Sequence, residues 1–230
     1  DARDGGGVVS TGVRLFAVCV LAVLCAACGR SAEQPPPPST TQTHGPVNPA
    51  RVDRTRDQMP DGYEVAVYTG PAAPITVWGF GEAAVSEPPQ CGALTAPAVE
   101  PDTTRGWSAS GPGGIVYTVV ARAGQPVTPD PALLAECAQW TVSSENTAGT
   151  VARQFGPAID AAQTVAMSSS ATTVVEGGTE TRSHAETFVA YLDGYVCFVA
   201  LVTDPGSPYP VLDAGFAANL LTTTVSALRG

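Results

Sequence analysis

The chain reads as an α+β domain, a mostly antiparallel sheet with helices packed on one face. Three observations predict this. Strand-like runs outnumber helical ones. Tight turns such as Gly111-Pro112-Gly113-Gly114 and Asp193-Gly194 join neighbouring runs into hairpins. The last stretch carries an amphipathic helical stripe of Leu212, Phe216, Leu220, Leu221, Val225 and Leu228.

In chain order, Asn48 followed by Pro49 predicts a helix cap and first helical residue, with the helix running to Met59 and stopping before Pro60. Asp61-Gly62 turns into a strand, Tyr63 to Tyr68, with Tyr63, Val65 and Val67 on one face. Ile75 to Gly81 is apolar but broken by glycines, so its periodicity fixes no element type, and the Pro-rich segment around Cys91 is equally undefined. Trp107–Ser110 and Ile115–Arg122 read as paired strands, the second apolar on both faces. Asp130-Pro131 caps a helix through Leu133, Leu134 and Cys137 that reaches Trp140 at most, and Thr141–Ser144 with Thr150–Phe155 form a hairpin around Asn146 to Gly149. Strands follow at Thr164–Ser169, Thr181–Leu192 and Tyr195–Thr203, and Ser207-Pro208 opens the terminal helix.

Ahead of this domain, which spans 47–230, the stretch 1–27 holds Arg14 and a short apolar run ending Ala26-Ala27-Cys28. That is the pattern of a bacterial secretory signal with small residues before the cut. Its roughly 10–15 apolar residues fall short of the about 20 that a membrane span needs. Cysteine directly after the cut resembles a lipobox, in which Cys28 is acylated, although Cys25 stands where that motif has Leu. A cleaved signal without lipid is the alternative. No Met precedes the run, so Val8, Val9 or Val13 is a candidate start codon position. Residues 28–46 form a tether: Pro35 to Pro38 favour polyproline II, and the Ser/Thr/Gln remainder has nothing to bury. The expected location is the outer face of the cell membrane, with the membrane itself a partner through the lipid.

The chain has 230 residues and contains no lysine. That excludes a phosphate-binding P-loop, a Schiff base and Ser–Lys chemistry. A formal net charge of −10 argues against nucleic acid, whose phosphates demand a basic face. No cofactor is expected. A metal site needs clustered His, Cys or carboxylates, and the domain offers a single histidine, His184, on a polar face with Arg182 and Glu186. Gly106-Trp107-Ser108-Ala109-Ser110 fails the nucleophile-elbow pattern at its fifth residue. Glu176, Glu180 and Glu186 are the candidates for a glycosidase-like carboxylate pair, weighed against an ordinary hairpin surface. No catalytic residue emerges. The large aromatics stand out in a chain of Ala, Val and Thr: as core they fill volume, and as a cleft Trp78, Trp107, Trp140 and Tyr195 would line a site for a small glycan or lipid.

Asn48-Pro49-Ala50-Arg51-Val52, Pro60-Asp61-Gly62-Tyr63-Glu64-Val65, Trp78-Gly79-Phe80-Gly81, Gly114-Ile115-Val116-Tyr117, Glu176-Gly177-Gly178-Thr179 and Val225-Ser226-Ala227-Leu228-Arg229 resemble a family of uncharacterised mycobacterial lipoproteins. More distantly, Cys137-x-x-Trp140 and the layout are similar to extracellular sensor domains of mycobacterial receptor Ser/Thr kinases. That resemblance implies a sensor-like domain binding an envelope ligand or protein without turnover, although those domains carry two disulfides. A hydrolase with an unrecognised carboxylate or serine site is the alternative.

Three cysteines fall in the folded domain, and an exported domain meets an oxidising compartment, so one disulfide and one leftover thiol are expected. Cys197 sits mid-strand, where a buried thiol fits as a small hydrophobe, so Cys91 pairs with Cys137. Pairings that use Cys197 remain the competitors.

Overall fold

The computed structural model describes residues 45–81, 83–125 and 128–230. The predicted signal, Cys28 and most of the tether lie outside the described residues. Nine strands form one antiparallel sheet among them: β1 (Glu64–Val67), β2 (Val85–Glu87), β3 (Arg105–Gly111), β4 (Gly114–Arg122), β5 (Gln139–Ser143), β6 (Thr147–Phe155), β7 (Gln163–Val174), β8 (Glu180–Leu192) and β9 (Tyr195–Thr203). Their spatial order is β1-β3-β4-β9-β8-β7-β6-β5-β2. The fold is α+β, as the hairpin turns and terminal stripe predict.

The middle strand shows why the sheet carries two cores. In β9, Val196, Phe198 and Ala200 enter one core while Cys197, Val199 and Leu201 enter the other. A strand apolar on both sides must be covered on both sides.

On one face lies α4 (Ala214–Arg229), which presents Ala217, Leu220, Leu221, Val225 and Leu228 to the sheet. Its cap is Asp213, whose Oδ1 accepts from the Phe216 N–H at 2.7 Å. The helix therefore starts later than Ser207-Pro208. Tyr209 precedes Pro210, and a residue before proline is driven out of the helical region, so residues 207–213 stay irregular. Beside α4 runs Pro49–Gln58, a 3₁₀ helix rather than an α-helix, with Asn48 Oδ1 accepting from the Ala50 N–H at 3.1 Å. Its buried residues are Val52 and Thr55, three apart, which a three-residue turn stacks on one side. Trp107 from β3 seals this core, donating its indole N–H to Val52 O at 3.1 Å and to Thr55 Oγ1 at 3.2 Å.

The other face is covered by the segments whose type the sequence leaves undefined. After β1 the chain leaves one sheet edge, lays Ala72, Ile75, Trp78 and Phe80 against the second core, and places β2 beside β5 at the opposite edge. It returns through Cys91 and Leu94 to β3, back beside β1. Its helices are single turns, α1 (Pro74–Val77) and α2 (Gly92–Thr95), with one short 3₁₀ turn before α2 and another after it. It is pinned at mid-sheet by Trp78 Nε1–H, which donates to Thr187 Oγ1 on β8 at 2.8 Å. At the β2 end it is pinned by a Cys91–Cys137 disulfide, Cα atoms 5.6 Å apart, to the residue that caps the C-terminus of α3 (Pro131–Glu136). Cys197 is free and buried, so the pairing follows the expectation from strand position.

Candidate functional site

The long helix α4 packs on β4, β8 and β9 and leaves the β5–β7 half of its face open. The sequence of these strands matches that division. On the strap side they carry Trp140, Val142, Val151, Val165, Met167 and Ala171. The alternate positions are small and polar, because period-two alternation sends them to the uncovered face. Register fixes them in rows. Thr141, Thr150, Ser170 and His184 stand side by side across four strands. Ser143, Ala148, Thr172 and Arg182 form the next row, and Ala152, Ser168 and Glu186 the row on the other side. Thr141, Thr150 and Ser170 of the first row, the whole second row and Pro205 from the loop after β9 line a cavity of about 720 Å³.

At its β8 side a hydrogen-bonded network ties four side chains together. Ser170 Oγ lies 3.3 Å from His184 Nδ1, and His184 Nε2 lies 2.9 Å from Glu186 Oε1. Ser168 donates to that same carboxylate oxygen at 2.9 Å. Glu186 is mostly covered and His184 about one-third exposed, at 18% and 35% of their side chains. Glu186 Oε2 is buried and has no hydrogen-bond partner among the described residues.

Residues 48–229 match the domain of unknown function DUF5642. The chain belongs to that family. No curated protein sequence matches it. The DUF5642 fold is similar to the crystal structure of an uncharacterised Mycobacterium smegmatis protein, the Rv0999 ortholog. That likeness has a TM-score of 0.57 at 22% identity and covers 80% of this chain and 98% of that one. At such identity it speaks for the fold alone.

The aromatic residues expected to line a cleft do not converge in the DUF5642 domain. Trp78 and Trp140 are buried in the strap-side core and Trp107 in the helix-side core, at 2%, 3% and 0% exposure, on opposite faces of one sheet. Tyr195 is half-buried at the end of β9, with its hydroxyl accepting from Arg122 Nη2 at 3.1 Å and the guanidinium 5.2 Å from its ring centre. The physical reason is that a sheet covered twice needs large side chains on both faces, and small Ala, Val and Thr cannot fill that volume. The carboxylates separate too. Glu180 and Glu186 lie six residues apart on one strand, about 20 Å, well beyond the reach of a glycosidase pair. Ser108 lies within β3 and not on a strand-to-helix elbow. Among the described residues no group of three or more His, Cys, Asp or Glu gathers as a metal would require.

His184 and Glu186 share one strand face as the sequence predicts, whereas the strand expected at Thr164–Ser169 stops one residue short of Ser170, and nothing in its pattern marks Ser168 as a partner of Glu186. The signal for Ser170 is the Gly177-Gly178 turn. Both glycines take left-handed backbone, φ 87° and 77°, and counting seven residues each way from Gly177 sets Ser170 opposite His184.

Proposed function

We propose that this protein is an exported envelope lipoprotein, anchored through Cys28, whose open sheet face binds a hydroxyl-rich ligand such as an envelope glycan in a sensor-like manner. The observation that carries the binding reading is the exposed row Thr141, Thr150 and Ser170, beside Thr172 and Arg182, in a cavity of about 720 Å³. Hydroxyls both donate and accept, so such a row matches the alternating donors and acceptors of sugar hydroxyls. Hydroxyls alternate there with small apolar residues such as Ala148, which suits the mixed faces of a sugar, so the polar member of the two ligand classes fits better. Arg182, exposed at the rim, adds one positive group for a ligand carrying a carboxylate or phosphate. Export is supported by the signal-like run ahead of the domain and by the Cys91–Cys137 disulfide, which persists in oxidising compartments.

Binding is tested by titrating isotope-labelled protein with soluble envelope glycan fragments and following backbone amide shifts. Shifts confined to Thr150, Ser170, Thr172 and Arg182 are expected. Shifts centred on another surface, or none at millimolar glycan, would sink the assignment. One observation favours an enzymatic reading of the same face, the Ser170–His184–Glu186 network.

A further inference from the structure

We infer that Ser170 is an activated nucleophile that accepts an acyl group from an ester, with His184 as its base and Glu186 as the residue that positions that base. The inference rests on the open face of the proposed function and deepens it, since it names the chemistry that an ester-bearing ligand would meet there.

The geometry comes from register. Ser170 and His184 are direct partners in the β7–β8 ladder, which brings Oγ to 3.3 Å from Nδ1. Glu186 lies two residues along the same strand face and reaches the other ring nitrogen at 2.9 Å. A carboxylate only accepts hydrogen bonds, so Nε2 carries the ring proton and the Nδ1 lone pair is left for the Ser170 hydroxyl. This is the arrangement that activates a serine: nucleophile to base, base to orienting group. Ser168 stands two residues away yet is chemically different. Its hydroxyl donates to Glu186 Oε1 at 2.9 Å and fixes the carboxylate.

In the acylation step Ser170 Oγ attacks the ester carbonyl carbon. The new O–C bond forms as the bond from carbon to the alkoxide breaks. The hydroxyl proton passes to His184 Nδ1 and then to the departing alkoxide, while Glu186 stays ionised beside the imidazolium. Water, deprotonated by the same imidazole, releases the carboxylic acid and restores the serine. Charge on the carbonyl oxygen must be met by side chains, because β7 lies between β6 and β8 and its backbone N–H groups are committed to the ladders. Two side chains are placed for it. Thr150 is the β6 register partner of Ser170, and Arg182 lies on the same face of β8 in the same cavity, with no hydrogen-bond or ion-pair partner among the described residues.

The test uses the full chain, a fluorophosphonate probe, and p-nitrophenyl butyrate as a small ester. Both report on the serine itself and require no envelope ligand. Intact mass and peptide mapping should show one probe adduct, on Ser170 and not on Ser168, and Ser170→Ala should remove it. His184→Gln should slow labelling and ester cleavage by about 10²-fold or more. Glu186→Gln should slow them as well, and Glu186→Asp should recover part of the loss, as a positioning carboxylate would and a merely packed one would not. Ser170 is exposed, while His184 and Glu186 are partly buried, so circular dichroism of each variant checks that the fold is kept. The inference is overturned by no adduct above the Ser170→Ala background, by an adduct on another serine, or by Ser170 labelling that His184→Gln leaves unchanged. In any of those cases the glycan titration still decides the binding reading separately.

Discussion

Thr187→Val tests how the strap is held across the second face. Thr187 is fully buried, and its Oγ1 accepts the Trp78 indole N–H at 2.8 Å inside a core where that indole is 2% exposed. Valine has nearly the same shape, so the substitution leaves the packing and removes the acceptor. A buried N–H without a partner costs about 1–3 kcal/mol. Against this, exchanging hydroxyl for methyl adds about 0.8 kcal/mol of apolar burial. The expected net loss is about 0.2–2 kcal/mol, or a fall in Tm of up to about 8 °C for a domain of this length. Urea unfolding followed by tryptophan fluorescence measures it. The decisive arm is the double-mutant cycle with Trp78→Phe, which has no N–H to strand. In that background Thr187→Val should cost nothing or stabilise, giving a coupling of about 1 kcal/mol or more. Equal losses in both backgrounds, with no coupling between the two substitutions, would refute the role given to this bond.

Three further outcomes are expected. Replacing Cys91 and Cys137 together by serine, a pair separated by 46 residues, should cost up to about 4 kcal/mol on the chain-entropy account; a change within error in urea would show that the strap is held without it. Burial raises the Cys197 thiol from 9.0 to about 12, so Cys197 should resist thiol reagents at pH 8 until the chain unfolds. Because the native state holds that proton more tightly, the contribution of Cys197 is intact below pH 9 and is lost as pH rises toward about 12, which Cys197→Ala should flatten in a pH series of unfolding curves. Last, Cys28→Ala expressed in its native envelope should move the protein from the detergent phase to the aqueous phase; retention in detergent would remove the lipid anchor from the proposal.

What the sequence disclosed and what it hid follow from interaction range. Asp130 accepts from the Leu133 N–H at 2.8 Å, and Gly194 takes φ 71° between β8 and β9, both local devices written in consecutive residues. The disulfide was accessible because Cys197 alternates with core residues on a strand apolar on both faces. The strap was not, since Trp78 finds its hydrogen-bond partner 109 residues away and its own segment has no period to reveal it. The same distance misled the reading of the aromatics: composition shows that they are large, and only the two-sided covering of the sheet decides that three of them are inside. For the open face the loss was smaller, five residues of β7 from Ser170 to Val174, yet those residues are what bring a hydroxyl to His184.

The strand order also dictates when this fold can close. The β1-β3-β4 ribbon meets the β8-β7-β6-β5-β2 ribbon only through β9, which pairs with β4 on one side and β8 on the other. A chain emerging amino end first therefore exposes the raw side of β4, Ile115 to Arg122, through the appearance of the next four strands, and gains its seam some 80 residues later. Closure across such separations is slow, because loop entropy must be overcome before the new pairing contributes. The strap waits as well, since the strands it lies on are made after it. Assembly of the sheet is thus a late, nearly all-or-none event, and a nascent chain arrested before Tyr195 should be sensitive to protease along its whole length.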